Sequence, residues 1–315
     1  RANSAGDAIN SASTAGNDIV TGNTITGTGG DAIEITNTST GVGAGNDGKI
    51  TVSGNTIGND DTGAIANIGG YAVFIQTATG SGAVVVDSNA ISTGPNAATI
   101  GLNAIFVDNI AGDVQVTNNE IGTGTGSAIT FSGIVVNQVA GSVTSDSNTV
   151  AIAASNGIFV GSSGNPVTVS NNSVSNVAGA GIYLQDVSDA LVSGNDVTNA
   201  GIGLLIQDSL DDVANNITVS GNTITGGAGS SIGISIDDLH AFGNSPTTVT
   251  FGAGNIIRSL TNAGADALLI NGPDTALGGN SLNNMQFLAI NDQFVILSNG
   301  ALFNHDTPTD IDGSD

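Results

Sequence analysis

Short runs of alternating apolar and polar residues recur along the chain, and most break at the same kind of place, a small residue followed by asparagine. The runs read "IVTGNTIT", "ITVSGNTIG", "VVDSNAIS", "VQVTNNEIG", "VTSDSNTVA", "VTVSNNSVS", "ALVSGNDVT" and "ITVSGNTIT". A degenerate "VTFGAGNII" and a "TALGGNSL" follow. The asparagines are Asn23, Asn55, Asn89, Asn119, Asn148, Asn172, Asn195 and Asn222, then Asn255 and Asn280, spaced 23 to 34 residues apart. A second apolar run lies between most of these marks: "DAIEI", "YAVFI", "NAIFV", "NGIFV", "AGIYL", "IGISI" and "DALLI" are examples. A period of two over four to six residues predicts strands, and nothing in the pattern has a helical period.

Internal repetition at this spacing predicts stacked coils, each holding two or three short strands. Equivalent strands pair about 4.8 Å apart, so about ten coils make a rod roughly 50 Å long. In "ITVSGNTIT", Ile217 and Val219 should point inward, Gly221 and Asn222 turn a corner, and Ile224 point inward on the next face. Asparagine tolerates left-handed backbone, and stacked asparagines can bond one another in a ladder. The eight asparagines from Asn23 to Asn222 are therefore assigned to structural turns. The distance from the asparagine to the second strand varies, which places most insertions in one loop.

This pattern resembles the right-handed, single-stranded parallel β-helix, the pectate-lyase-like repeat family, from Asp18 to about Leu302. The resemblance implies an all-β solenoid over residues 1–302, with 303–315 as an acidic tail or linker. It does not imply one activity, because that fold carries lyases, hydrolases, adhesins and phage tailspikes. The Gly/Asn/Thr-rich, irregular coils resemble large secreted bacterial surface proteins. An extracellular or cell-surface location is the corresponding expectation.

Charge narrows the range of partners. Twenty-seven acids face three bases, Arg1, Lys49 and Arg258, for a formal net charge of -24, while 39% of residues are apolar. The apolar runs can bury a core, and no basic stripe exists to neutralise nucleic-acid phosphates or anionic lipid. Such acidity favours bound or screening cations, with calcium the expected ion. There is no cysteine and no apolar stretch long enough to span a membrane. The opening "RANSAGDAIN" reads as mid-repeat sequence, which suggests a segment of something longer.

Candidate chemistry is sparse. Lyases of the resembled family use a basic residue, yet Lys49 and Arg258 lie about seven coils apart. Of the related hydrolase signatures only an Asp-Asp dipeptide occurs, at Asp60–Asp61, Asp211–Asp212 and Asp237–Asp238. His240 and His305 stand in no metal-ligand spacing. Asp310, Asp312 and Asp315 around Gly313 resemble part of a calcium loop without its closing glutamate. Phe74, Phe106, Phe159 and Tyr183 share the fourth place of the second strand with Glu34 and Ser235, so alternation puts that place outside. No catalytic or cofactor-binding residue is assigned.

The sequence therefore predicts a structural or adhesive segment that contacts surface glycan or matrix and associates end to end into filaments. A polysaccharide-active lyase or hydrolase with carboxylates in a lateral groove, and a calcium-dependent adhesion module, are the alternatives.

Overall fold

The computed structural model describes residues 3–4, 6–12, 17–37, 48–59, 67–77, 82–163, 165–208, 216–238, 248–271, 276–277, 285–290 and 295–298. Every pairing between strands in it is parallel, and the strands of its two large sheets pair with their counterparts in neighbouring coils. The chain is a parallel β-solenoid. One ten-stranded sheet runs from Asp18–Thr21 through Ile50–Ser53, Val84–Asp87 and their successors to Ala276–Leu277. A second, larger sheet is folded over the rest of the coil. It combines short strands after the asparagine corner, such as Thr56–Ile57 and Ala90–Ile91, with long strands such as Ile33–Asn37, Val73–Thr77 and Ile105–Ile110. In Ser173–Val187 and Asp196–Asp208 the two merge into one continuous strand, with a register shift between Val177 and Ala180.

The sequence period explains the core. Along each strand alternate residues point in, so identical positions of successive coils stack into apolar rows. Ile57, Ile91 and Ile121 form one such row, and Ile75, Val107, Val136 and Val160 another, all fully buried. In the run that turns at the Asn222 corner, Ile217 and Val219 before it and Ile224 after it are all buried. Each large aliphatic side chain so buried contributes roughly 1.5–3 kcal/mol.

The corner itself differs from expectation in one respect. The left-handed residue is the one before each asparagine: Gly22, Gly54, Ser88, Asn118, Ser147, Asn171, Gly194, Gly221 and Gly254, with φ from 54° to 85°. The asparagine that follows is turned inward instead, and from Asn55 to Asn255 it is buried at every coil. Its side-chain oxygen accepts from both the backbone N–H and Nδ2 of the asparagine one coil earlier. Asn119 donates both to Asn148 at 3.0 and 2.9 Å, and Asn148 repeats this toward Asn172 at 2.9 and 3.0 Å. Nδ2 also donates to a strand carbonyl of the preceding coil, as from Asn148 to Val116 at 2.8 Å. Asn23 opens this ladder and Asn255 extends it. Asn280 lies outside the described residues.

Insertions also fall differently. The separation between consecutive described strands varies on both sides of the long strand. Only Ser188 separates Ser173–Val187 from Asp189–Ser193, whereas residues 38–49 separate Ile33–Asn37 from Ile50–Ser53. On the other side, Thr56–Ile57 and Val73–Thr77 stand much further apart than Thr223–Thr225 and Ile232–Asp238. The asparagine corner stays constant while the borders of the long-strand face vary.

Candidate functional site

The outward side of the long strands concentrates the side chains with recognition chemistry. Glu34, Phe74, Phe106, Val135, Phe159, Tyr183, Leu205, Ser235 and Leu269 form one outward row in continuous register. Two residues on, a polar row runs beside it: Thr36, Gln76, Asp108, Asn137, Gly161, Gln185, Gln207, Asp237 and Asn271. The aromatic members are half-buried, whereas Val135 and Ser235 are buried.

Stacking at coil spacing brings rings into contact. Phe74 and Phe106 lie nearly parallel, with centroids 5.6 Å apart and planes at 8°. Tyr71 leans on both, at 5.0 and 5.1 Å. Further along, Phe159 and Tyr183 meet edge to face at 5.0 Å. The Phe159 ring folds over Gly161, where a Cβ would sit only 2.6 Å from its Cζ, so glycine lets the ring lie down on the sheet. In the polar row, Gln76 and Asn137 donate to the Asp108 carboxylate at 3.1 and 2.9 Å, and the Tyr183 hydroxyl donates to Gln207.

Carboxylates gather at the N-terminal end of the same face. Oxygens of Asp7, Asp31 and Glu34 lie within 4.8 Å of one another. Asn10 donates to both Asp7 and Glu34. Asp7 is held below the usual carboxylate range by the Asn10 amide, the Asp31 N–H and the Glu34 carboxyl. Glu34 is pushed up by burial, by its hydrogen bond with Asp7, and by the charges of Asp7 and Asp31. Burial also pushes Asp31 up, against the Tyr71 N–H that holds it down.

Two of these acids have a local structural role that the sequence did not disclose. Asp7 accepts from the Asp31 N–H at 2.9 Å, and Asp31 from the Tyr71 N–H at 2.7 Å. At the equivalent position Asn103 accepts from Ser132 N–H at 2.8 Å, and Asn156 from Ala180 N–H at 2.9 Å. This is a second ladder, at the start of the long strands. Gly30 and Gly70 precede its rungs, and a Cβ on either would strike the incoming carboxylate, at 2.4 and 1.9 Å.

Of the acidic pairs, Asp237 lies in the polar row, half-buried and pushed up by burial, with Asn271 and Ser235 donating to it. The side chain of Asp238 lies outside the described residues, as do Asp60–Asp61, Asp211–Asp212, His240, His305 and the tail acids Asp310, Asp312 and Asp315. Lys49 precedes a strand of the ten-stranded sheet, and Arg258 sits on the short-strand face, where its Nε donates to Thr225 Oγ1 at 3.1 Å. Among the described residues the long strands carry no lysine, arginine or histidine. A separate apolar groove of about 570 Å³ lies where Ile129, Ile152, Ala153 and Val177 line it, with Asn176 and Asn199 beside them; no titratable side chain lines it.

Comparison with family models agrees on architecture over part of the chain. Residues 132–267 match the model of the right handed beta helix region. The fold is a right-handed parallel β-helix. Among solved structures, the A-module of a mannuronan C-5 epimerase from Azotobacter vinelandii aligns at 13% identity, covering 92% of this chain and 80% of that one, with a TM-score of 0.35. No curated protein matches the chain.

Proposed function

We propose that the β-helix is a structural and adhesive segment of a secreted or cell-surface protein, gripping surface glycan or matrix through its long-strand face. The observation that carries this reading is the half-buried aromatic row lying in register beside a row of amides and carboxylates. Rings give a large, low-entropy contact area, and amides beside them supply directional hydrogen bonds. A row repeating at each coil suits a long, repeating partner. Adsorption of the whole chain to a panel of insoluble glycans should be measurable and should fall when Phe74 and Phe106 are replaced. Wild-type levels of adsorption by that double variant would remove this face from the reading.

End-to-end association belongs to the same proposal, because an uncovered terminal coil offers unpaired strand edges. Sedimentation that stays monomeric across a wide concentration range, with and without calcium, would rule out filaments.

A second reading rests on the carboxylate trio. Neighbouring acids driven apart in proton affinity, Asp7 down and Glu34 up, are a pairing that general acid–base chemistry uses. New reducing ends or unsaturated products from a glycan panel, abolished in Glu34→Gln, would favour this polysaccharide-active reading. The same three carboxylates offer oxygen ligands of the kind calcium takes. A melting temperature that ignores both calcium and chelator would exclude the calcium-dependent module.

A further inference from the structure

We propose that the platform of Tyr71, Phe74 and Phe106 selects an amine-bearing glycan, a linear chain of amino sugars with free ammonium groups. The inference rests on the adhesive reading of the long-strand face and names its ligand class. Three features converge.

The first is the rings. Phe74 and Phe106 are stacked in adjacent coils and Tyr71 packs on both, so three half-buried rings make one continuous apolar surface. Aromatic faces attract cations and pack well against apolar groups, including the C–H faces of sugar rings.

The second is charge. Pairing register sets Asp31 beside Tyr71 and Glu34 beside Phe74, and Asp108 follows Phe106 by two residues on the same outward side. Burial, and then the negative charges of Asp31 and Asp108, raise the proton affinity of the Tyr71 phenol. Gln76 and Asn137 fix the Asp108 carboxylate from either side. Among the described residues no cation on the long strands balances these acids. A uronate chain would meet repulsion here, whereas an ammonium would find an aromatic face and a carboxylate together.

The third is extent. The outward row continues past Val135 to Phe159, Tyr183 and Leu205, so from Phe74 onward it crosses five coil steps, about 24 Å. That length fits several sugar rings of an unbranched chain. Gln185 and Gln207 continue the amide row beside it. A basic peptide is the competing cationic partner. Each of these long strands is paired on both sides, so a peptide could not add as a further strand and would lose main-chain bonding.

The test is calorimetric titration of the full chain with a fully deacetylated glucosamine hexamer, its N-acetylated form, an oligogalacturonate and oligolysine of matched charge. Binding of the deacetylated hexamer should exceed that of the acetylated form by about tenfold or more, with none for oligogalacturonate. Asp108→Asn and Phe106→Ala should each weaken it about tenfold, while the remote exposed substitution Asp189→Asn should not. Phe106→Leu, which keeps apolar volume without the ring, guards against loss by misfolding. Equal binding of acetylated and deacetylated hexamers would overturn the ammonium inference and leave the adhesive reading standing. So would wild-type binding by Phe106→Leu, or oligolysine binding as tightly as the hexamer. Absence of binding to any glycan, in titration and in adsorption, would overturn both.

Discussion

The asparagine corner and the long-strand face belong to the same coils, yet they obey different rules. At the corner the residue type hardly changes: asparagine recurs, buried, with its amide bonded to the coils on either side. On the long-strand face the outward position passes from glutamate to phenylalanine, valine, tyrosine, leucine and serine without disturbing the register. A buried amide must have its partners, so substitution there is costly; an outward side chain has water as an alternative. The loops that vary in length flank the permissive face. The coil thus separates the part that makes the rod from the part that is free to acquire a ligand.

The largest expected effect comes from breaking the corner. Asn148→Ala would leave the Asn119 N–H without its acceptor, and would remove one acceptor of the Asn119 amide and the side-chain bond to the Val116 carbonyl, in a buried site. A loss of about 2–4 kcal/mol in urea unfolding is expected from the unmet N–H, the lost amide bonds and the space left behind. A loss under about 0.5 kcal/mol would mean that the ladder decorates the rod without holding it.

Next in size is a change at the start of the long strands. Here the inward column holds alanine in early coils, Ala32, Ala72 and Ala104, and glycine from Gly133 through Gly157, Gly181, Gly203 and Gly233. A Cβ on Gly181 would lie 2.3 Å from a Val197 methyl and 2.8 Å from the Gly203 carbonyl oxygen. Gly181→Ala should therefore cost about 1–3 kcal/mol through overpacking. An unchanged melting temperature would show that the narrow coils relax as easily as the wider ones.

Phe106→Leu should do the opposite of Asn148→Ala. Stability should move by less than about 1 kcal/mol, because an outward row tolerates exchange of one apolar residue for another. Adsorption to glycan should nonetheless fall. Equal loss of both would blur the distinction between corner and face.

The smallest effect is on pH dependence, and its sign depends on the group. Glu34 and Asp31 have raised proton affinity in the fold, so their contribution to stability is present at low pH and is lost as pH rises through their folded values. Asp113 is lowered by the backbone and side-chain donors of Ser142, and its contribution is lost as pH falls. For Asp87 and Asp146, burial acts upward but neighbouring hydroxyl and amide donors outweigh it, giving the same direction as Asp113. Glu34→Gln should stabilise slightly near pH 7 and change nothing near pH 4, read by thermal melts at both. Destabilisation near pH 7 would show that the ionised carboxylate, and not its burial, is the stabilising form.

Much of this was legible in the residues themselves. A two-residue period sorts each strand into inward and outward positions, and a recurring corner fixes the coil, so the solenoid and the outward place of Phe74, Phe106, Phe159 and Tyr183 follow from local pattern alone. The corner was only half readable, because glycine, serine or asparagine may precede the buried asparagine. Which of two adjacent residues takes positive φ is decided by the one whose side chain has partners inside. The acidic trio and the second ladder were not readable. Asp7, Asp31 and Glu34 are spread over more than one coil, and the loop between coils has no fixed length. Their meeting depends on how many residues the loops absorb, and only the stacked coils settle that. The sequence by itself determined a rod with a uniform interior, since burial acts residue by residue along each strand. Which outward rings touch, which carboxylates approach one another, and which amides brace them were decided by the tertiary structure, because those contacts run between coils and across loops of unequal length.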